Sequence, residues 1–300
     1  MKITANQIQI EIEDSAPGDH HLPVVLLIMG LGMQLVAWPP GLVRGLMNAG
    51  FRVIRFDNRD IGLSEKFDSL GVPNVLWQGL KYKLGLNIRA PYRLHDMALD
   101  AVGVLDFLKI DKAHIVGVSM GGMVAQRVAL LAPNRCLSLV SIMSSSGARG
   151  LPAATPAVTR LLLSRPRNKS VAAAIDHSVR MFKAIGSPAY PTSDEDRRTA
   201  VTFGVTRSYY PHGILRQMMA IVEDNKRATE LASITVPTLV VHGKSDPLVP
   251  YACGEDTARR ISGAKLVGID GMGHDLPPGV VERLLPLLTS HLKSSHHGLT

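Results

Sequence analysis

Residues 113–122 read AHIVGVSMGG, and this segment predicts a strand, a sharp turn and a helix. The run before Ser119 is apolar and rich in β-branched residues, and apolar residues recur at helical spacing over Met120–Leu131. Gly117 and Gly121 leave room for the strand and the helix to approach closely. A serine in such a turn projects beyond the sheet, and its place at the helix N-terminus puts developing negative charge near free backbone N–H groups.

The first half of the chain has the rhythm of a parallel sheet covered by helices. Short β-branched runs predict strands at residues 7–12, 24–29, 52–56, 113–118 and 137–143, and later at 236–242 and 265–269. Helical spacing predicts helices at residues 42–48, 94–108, 120–131 and 278–292. Because the central strand runs do not alternate with polar residues, both faces of the sheet should be buried. The expected fold class is α/β, with a mostly parallel sheet of about eight strands flanked by helices.

The strand rhythm stops between residues 144 and 232. Proline and glycine separate amphipathic segments such as 171–185 and 214–223, which fits an inserted helical unit better than continued βαβ winding. We therefore predict a core formed by residues 1–146 and 233–293, with a helical cap at 147–232 inserted after the sixth strand. Residues 294–300 are predicted to be a flexible tail.

Composition restricts the class of protein. The 300 residues are 46% hydrophobic and 19% charged, which is typical of a chain that buries a large core. No apolar run reaches the length of a membrane span, and the start of the chain lacks the apolar stretch of a secretory signal. Cys136 and Cys253 are the only two cysteines, which indicates free thiols in a reducing compartment. We expect a soluble cytoplasmic protein, and the oligomeric state stays open, with a homodimer as one possibility.

The formal net charge of +8 is concentrated in the predicted cap. Between Arg149 and Glu230 there are 13 lysines and arginines against 7 acidic residues. Nucleic-acid binding is not expected, because aromatic residues make up only 5% of the chain and no recognition motif is present. Contact of this basic stretch with an anionic substrate or surface stays open beside the simpler interpretation, which is solvated charge.

Two residues in loops after later strands form a candidate catalytic set with Ser119. A serine hydroxyl needs a base at neutral pH, and the base needs a third group that fixes its tautomer. His274 ends the turn GMGH that follows the last strand, and Asp246 follows the strand before it. Asp270 is an alternative orienting acid, but its place at the strand end favours bonding to the loop backbone.

Acyl transfer also requires two donors for the tetrahedral oxyanion. One is the backbone N–H of Met120, the residue after the serine. The second is expected from the loop after the third strand, where glycines let the backbone turn toward Ser119. Leu31 is the predicted donor, and Gly30 and Gly32 are the adjacent alternatives.

Four motifs resemble those of the α/β-hydrolase superfamily, and the likeness extends over nearly the whole chain. They are MGLG at residues 29–32, FDNRDIGLS at 56–64, GVSMG at 117–121 and GMGH at 271–274. The order serine, aspartate, histidine is also the order of this superfamily. The sequence looks closest to the branch that includes aclacinomycin methylesterase and related small carboxylesterases, which share the Met-Gly loop and the Gly-Met-Gly-His turn. Two positions depart from the superfamily pattern: Met29 stands where histidine is common, and Asp60 stands where glycine is usual.

The resemblance implies an α/β-hydrolase fold with a helical cap and a two-step acyl-enzyme mechanism. Ser119 would attack the carbonyl of a small-molecule ester, His274 would take and return its proton, and Asp246 would orient the histidine. No metal and no organic cofactor are implied.

The residues expected to line the substrate pocket are glycines of the oxyanion loop and flexible methionines. They are Gly30, Gly32, Met33, Met123, Met143, Met181, Met218 and Met219. Methionine adapts to irregular ligands, which favours a substrate with an apolar group. Ordinary core packing is the competing interpretation of these methionines.

Several other activities use the same fold and the same three residue types. Carbon–carbon hydrolases, thioesterases, amidases and cofactor-free perhydrolases stay open on the sequence alone. Haloalkane dehalogenases and epoxide hydrolases place aspartate at the turn, so Ser119 argues against them. A ligand-binding receptor that retains the three residues with little turnover is the alternative of a different class.

Overall fold

An eight-stranded sheet forms the centre of the computed structural model, which describes residues 1–74, 77–79, 81, 84, 86 and 88–297. Its strands are β1 (Lys2–Ala5), β2 (Ile8–Asp14), β3 (Val24–Ile28), β4 (Arg52–Phe56), β5 (Ala113–Val118), β6 (Cys136–Ile142), β7 (Thr238–Gly243) and β8 (Lys265–Ile269). Their spatial order is β1-β2-β4-β3-β5-β6-β7-β8. The β1–β2 and β2–β4 pairs are antiparallel and all other neighbours are parallel. The predicted α/β class with a mostly parallel sheet is confirmed, and β1 is a strand that the sequence analysis missed.

Helices cover both faces of this sheet. They are α1 (Pro40–Asn48), α2 (Leu94–Phe107), α3 (Met120–Leu131), α4 (Pro156–Leu163), α5 (Val171–Ile185), α6 (Asp194–Arg207), α7 (Pro211–Glu223), α8 (Arg227–Glu230), α9 (Tyr251–Arg260) and α10 (Pro278–His297). In β3, Val25 and Leu27 belong to the core that includes side chains of α1 and α10, and Leu26 and Ile28 belong to the core that includes side chains of α2 and α3. All four side chains are fully buried. Burial on two faces therefore explains why the strand run is apolar without interruption.

The direction of winding reverses at β3. From β3 the chain moves to β4 on one side, and it then crosses to β5 on the other side. In open α/β sheets, ligands bind at the carboxyl ends of the strands where the strand order reverses in this way. Ser119 directly follows β5, so the topology places it at this point of the sheet edge.

Residues 147–232, which we call the cap, contain α4 to α8 between β6 and β7. The cap is fixed to the loop after β4. Arg207, at the end of α6, donates to Asp57 at 2.7 Å, and the Ser208 hydroxyl donates to the Gly62 carbonyl at 2.7 Å. These contacts join segments more than 140 residues apart in sequence.

A fully buried ion pair between Asp60 and Arg216 is the central contact of the cap with this loop. Arg216 Nε and Nη2 each donate to the Asp60 carboxylate at 2.8 Å, and Nη1 donates to the Gly71 carbonyl at 2.7 Å. Asp60 has a φ of 68°, a conformation that favours glycine. The departure from the usual glycine is thus explained, because the carboxylate at this position binds a cap arginine.

None of the described helices combines the length and the apolar character needed to cross a membrane. Helix α10 continues to His297, so residues 294–297 of the predicted tail are helical. Residues 298–300 of that tail lie outside the described residues.

We expect the substitution Arg216→Met to lower the free energy of unfolding by about 3–5 kcal/mol, because it leaves the Asp60 carboxylate buried without its cationic partner. The double variant Arg216→Met/Asp60→Asn should recover part of this loss, since no unpaired charge remains. Urea unfolding measures both. Arg198→Met is the control, because the Arg198–Asp176 pair is about half exposed and should contribute less than about 1 kcal/mol. A double variant no more stable than the single variant would contradict the prediction.

Candidate functional site

Ser119 lies in the turn between β5 and α3 with strained backbone angles, φ 56° and ψ −122°. Such a conformation costs on the order of 1–3 kcal/mol and persists only where the surroundings enforce it. A Cβ on Gly117 would lie 2.0 Å from the Gly121 carbonyl oxygen, and a Cβ on Gly121 would lie 2.0 Å from that of Ile28. The Ser144 hydroxyl donates to the Ser119 carbonyl at 2.7 Å. Close packing and this hydrogen bond hold the serine in place.

The structure brings Ser119, His274 and Asp246 into one hydrogen-bonded chain. The His274 Nδ1–H donates to Asp246 Oδ2 at 2.6 Å, and the Ser119 hydroxyl donates to His274 Nε2 at 2.9 Å. In this proton assignment the carboxylate oxygen acts as the acceptor, and the histidine tautomer is chosen to match. Asp246 and His274 are buried, whereas Ser119 is partly exposed. The serine therefore keeps some contact with solvent, while the groups that would activate it are buried.

Asp246 is held by its own loop. Its Oδ1 accepts the backbone N–H groups of Leu248 and Val249 at 2.9 and 2.8 Å, which leaves Oδ2 for His274. A second histidine, His242 in β7, lies 3.6 Å from Asp246. Burial lowers the pKa of His242, and its Nε2–H donates to the Val249 carbonyl. His242 is thus a neutral neighbour that leaves the carboxylate of Asp246 to His274.

The alternative acid, Asp270, does not take part. Its side chain is 86% exposed and pairs with Lys244 at 3.0 Å. The sequence argument that the strand end would direct Asp270 away from His274 agrees with this position, although the partner is a lysine rather than the loop backbone.

The cap fixes the histidine loop from the other side. The His274 N–H donates to the Ile185 carbonyl at 2.7 Å, and the Gly273 N–H donates to the Ser187 hydroxyl at 2.9 Å. Asp275 in turn accepts both the N–H and the hydroxyl of Ser187. A Cβ on Gly273 would lie 2.5 Å from the Gly186 carbonyl oxygen, so glycine is needed for this approach.

The loop after β3, residues 30–33, lies against the serine. A Cβ on Gly30 would be 3.2 Å from Ser119 Cβ. The Gly32 N–H is already used, since it donates to Gln217 of the cap at 3.0 Å. Within the described part of the chain, the N–H groups of Leu31 and Met120 have no hydrogen-bond acceptor. Of the three residues considered for the loop donor, Gly32 is therefore excluded by its partner, and Leu31 stays the prediction.

The methionines predicted to line a pocket fall into two groups. Met123, Met143 and Met219 are buried, and the first two belong to the packed cores of the sheet. The other three, Met33, Met181 and Met218, are only partly buried. Core packing accounts for Met123 and Met143, and a role in substrate binding stays a prediction for the partly buried group.

Sequence reasoning missed the cap residues that hold the two loops of the site. Gln217 and Ser187 lie on an ordinary amphipathic helix and in a loop, and neither belongs to a motif. Asp60 was noticed as a departure from glycine. The sequence signal for its role was a charged residue at a position where glycine is usual.

We expect Asp275→Asn to stabilise the protein increasingly as the pH rises. Burial raises the pKa of the Asp275 carboxyl, against the opposing hydrogen bonds from Ser187. The folded state then binds this proton more tightly than the unfolded chain, so the carboxyl loses stabilisation as the pH rises above about 4. The asparagine oxygen can still accept from Ser187. Urea unfolding of both proteins at pH 4 and pH 7 measures the difference, and a variant that gains less at pH 7 than at pH 4 would refute this account.

Comparison with known proteins finds relatives that are named as hydrolases. The rhodomycin D methylesterase DauP of Streptomyces sp. (strain C5) is 29% identical, with 93% of each chain covered. A putative carbamate hydrolase, RutD of Variovorax paradoxus (strain S110), is 27% identical, with 89% of each chain covered. The crystal structure of the enol-lactonase from Burkholderia xenovorans LB400 superimposes with a TM-score of 0.74 at 19% identity, covering 98% of this chain and 100% of that one. At this identity the structural likeness establishes the fold alone.

The profile of the family described as alpha/beta hydrolase fold matches residues 23–277. This span includes the strands β3 to β8, the cap and all three members of the hydrogen-bonded chain. The family predicted from the sequence motifs is thus confirmed, and the chain belongs to the α/β-hydrolase-fold family.

Proposed function

We propose that the protein hydrolyses carboxylic esters through an acyl-enzyme formed on Ser119. The observation that carries the proposal is the continuous hydrogen-bonded chain from Ser119 Oγ through His274 to Asp246, with links of 2.9 and 2.6 Å. A neutral imidazole at this distance can accept the hydroxyl proton while the oxygen attacks a carbonyl. Asp246 then stabilises the imidazolium and keeps it oriented.

The reaction proceeds in two halves. In the first, Ser119 Oγ bonds to the ester carbonyl carbon as His274 Nε2 takes the hydroxyl proton. His274 returns this proton to the leaving alcohol, and the acyl group stays on the serine. In the second half, water attacks the acyl carbon while His274 takes its proton, and the serine leaves with that proton as the acid is released.

The N–H groups of Met120 and Leu31 are the proposed donors to the oxyanion. Both lack a hydrogen-bond acceptor among the residues that the structure describes. Met120 is also the first residue of α3, where the helix dipole favours negative charge. Donors arranged before the reaction can contribute several kcal/mol to transition-state stabilisation, on the order of 3 kcal/mol each.

A neutral ester with an apolar group is the proposed substrate class. A Cβ on Gly32 would lie 3.0 Å from Cγ1 of Ile214 in the cap, so an apolar side chain lies next to the loop beside Ser119. Arg207 and Arg216 of the cap pair with Asp57 and Asp60 of the loop after β4, and Arg59 of that loop pairs with Asp100 of α2. None of these three cations is thus available to bind an anionic substrate group. The methylesterase relatives, which match over 93% of the chain, support an ester of a small alcohol.

We expect Ser119→Ala to lower kcat about 10⁴-fold or more and Asp246→Asn to lower it about 10⁴-fold, with both variants folded. The measurement is hydrolysis of p-nitrophenyl esters from acetate to palmitate. Ser164→Ala is the matched control, because Ser164 is an exposed cap residue that should leave the rate unchanged. Full esterase activity in Ser119→Ala would exclude the proposed nucleophile.

A panel of carbonyl substrates tests the ester assignment. We expect kcat/KM to be highest for methyl and p-nitrophenyl esters of apolar acids, and lower for matched thioesters, amides, carbamates and carbon–carbon cleavage substrates. The carbamates are included because putative carbamate hydrolases match over about 90% of the chain. If a carbamate or a carbon–carbon bond is cleaved faster, that bond type would replace the ester as the proposed substrate class. Tight ligand binding without turnover of any class would favour the receptor alternative.

A further inference from the structure

We propose that Gln217 of the cap is a positioning residue for the oxyanion loop, an inference that rests on the proposed ester hydrolysis. Gln217 is fully buried on α7. Its Oε1 accepts the Gly32 N–H at 3.0 Å, and its Nε2 donates to the Arg59 carbonyl at 3.0 Å. One side chain thus joins the cap to the loop after β3 and to the loop after β4.

The loop that carries the proposed donor is a tight turn. The Met33 N–H donates to the Gly30 carbonyl at 3.1 Å, which closes a four-residue turn with Leu31 and Gly32 in its middle. Gly32 has a φ of 70°, as expected for the third residue of a type II turn. Turns of type I and type II differ by a rotation of the central peptide, here the one between Leu31 and Gly32.

Gln217 selects one orientation of this central peptide. Its oxygen receives the N–H of that peptide, and rotation would bring the Leu31 carbonyl oxygen toward the buried amide instead. The bond to Gly30 holds the preceding peptide, whose N–H is the proposed Leu31 donor. The two hydrogen bonds together fix both peptides that flank Leu31.

The position of Gln217 is itself fixed by its neighbours on α7. The preceding residue, Arg216, forms the fully buried pair with Asp60. One turn earlier, a Cβ on Gly213 would lie 2.2 Å from the Asp60 carbonyl oxygen, so the helix packs directly on the loop. The orientation of the Gln217 amide is also determined. If its oxygen and nitrogen were exchanged, the NH2 group would face the Gly32 N–H, donor against donor, and the oxygen would face the Arg59 carbonyl, acceptor against acceptor.

A donor that is fixed before the reaction acts mainly on the transition state, where the negative charge develops. Loss of the Gln217 bond should therefore lower kcat about 10- to 100-fold with little change in KM, since a displacement of about 1 Å can cost about 100-fold. A role limited to holding the cap would lower the melting temperature and leave kcat of the folded enzyme unchanged.

The test compares Gln217→Met with Gln34→Met. Gln34 is a second buried glutamine between cap and core, and its Nε2 donates to the Gly204 and Ser208 carbonyls at 2.6 and 2.8 Å. Substitution by methionine therefore removes hydrogen bonds between the cap and the core at both positions. Only Gln217→Met also removes the acceptor of the Gly32 N–H. Kinetics with p-nitrophenyl butyrate, inhibition by an alkyl trifluoromethyl ketone and thermal unfolding are measured for both, with the active fraction titrated by a fluorophosphonate.

We expect Gln217→Met to lower kcat and to lower the affinity for the trifluoromethyl ketone by a similar factor. Gln34→Met should keep kcat within about threefold of the wild-type value. Gln217→Asn is the second variant if Gln217→Met does not fold, because its amide is one methylene shorter and cannot span both partners. If both Gln217 variants keep wild-type kcat and inhibitor affinity, the positioning role is overturned and the proposed function stands. If the wild type shows no turnover that Ser119→Ala abolishes, the proposed function fails, and this inference fails with it.

Discussion

The close approach of α3 to the end of β3 is the constraint on which the site depends. The helix can begin directly after Ser119 only because Gly121 brings no Cβ against the Ile28 carbonyl, where it would lie at 2.0 Å. This contact forces the strained backbone of the serine, and it also sets the distance between the serine and the loop that continues from β3. The proposed nucleophile and the proposed oxyanion donor are thus placed relative to each other by backbone packing. Longer side chains at these glycines would separate the two elements.

The cap has a second effect besides covering the sheet edge. Its contacts divide between two loops of the site, with Gln217 on the loop after β3 and the Ile185–Ser187 segment on the histidine loop. Both groups of contacts are hydrogen bonds of buried or partly buried backbone groups, which are costly to leave without partners. Movement of the cap as a unit would therefore disturb the proposed oxyanion donor and the proposed base together. Two of the cap arginines, Arg207 and Arg216, are neutralised by aspartates of the loop after β4.

Local sequence patterns predicted the sheet well, and they placed the three candidate residues next to strands, because each of these features depends on neighbours in sequence. Ser119 stands between a strand and a helix, and His274 and Asp246 follow strands, so parallel topology places all three at one edge. The contacts of Gln217 and Ser187 could not be predicted in this way. Gly32 and Gln217 are 185 residues apart, and their hydrogen bond depends on the seating of an entire helix. Apolar character also could not separate the methionines, since Met143 in the core and Met218 in the cap have the same side chain and differ only in surroundings.

Chain order has a consequence for biosynthesis. Ser119 and His274 are 155 residues apart, and the cap is synthesised between them. The ribosome therefore releases the serine, its helix and the first six strands long before β7, β8 and the histidine loop leave the exit tunnel. Domains begin to fold as soon as they emerge, but here the imidazole emerges after the whole cap, and it docks on cap segments that are already present. A nascent or truncated polypeptide that ends before the histidine loop carries the serine without its proposed base, so hydrolytic competence would appear only after that loop has emerged.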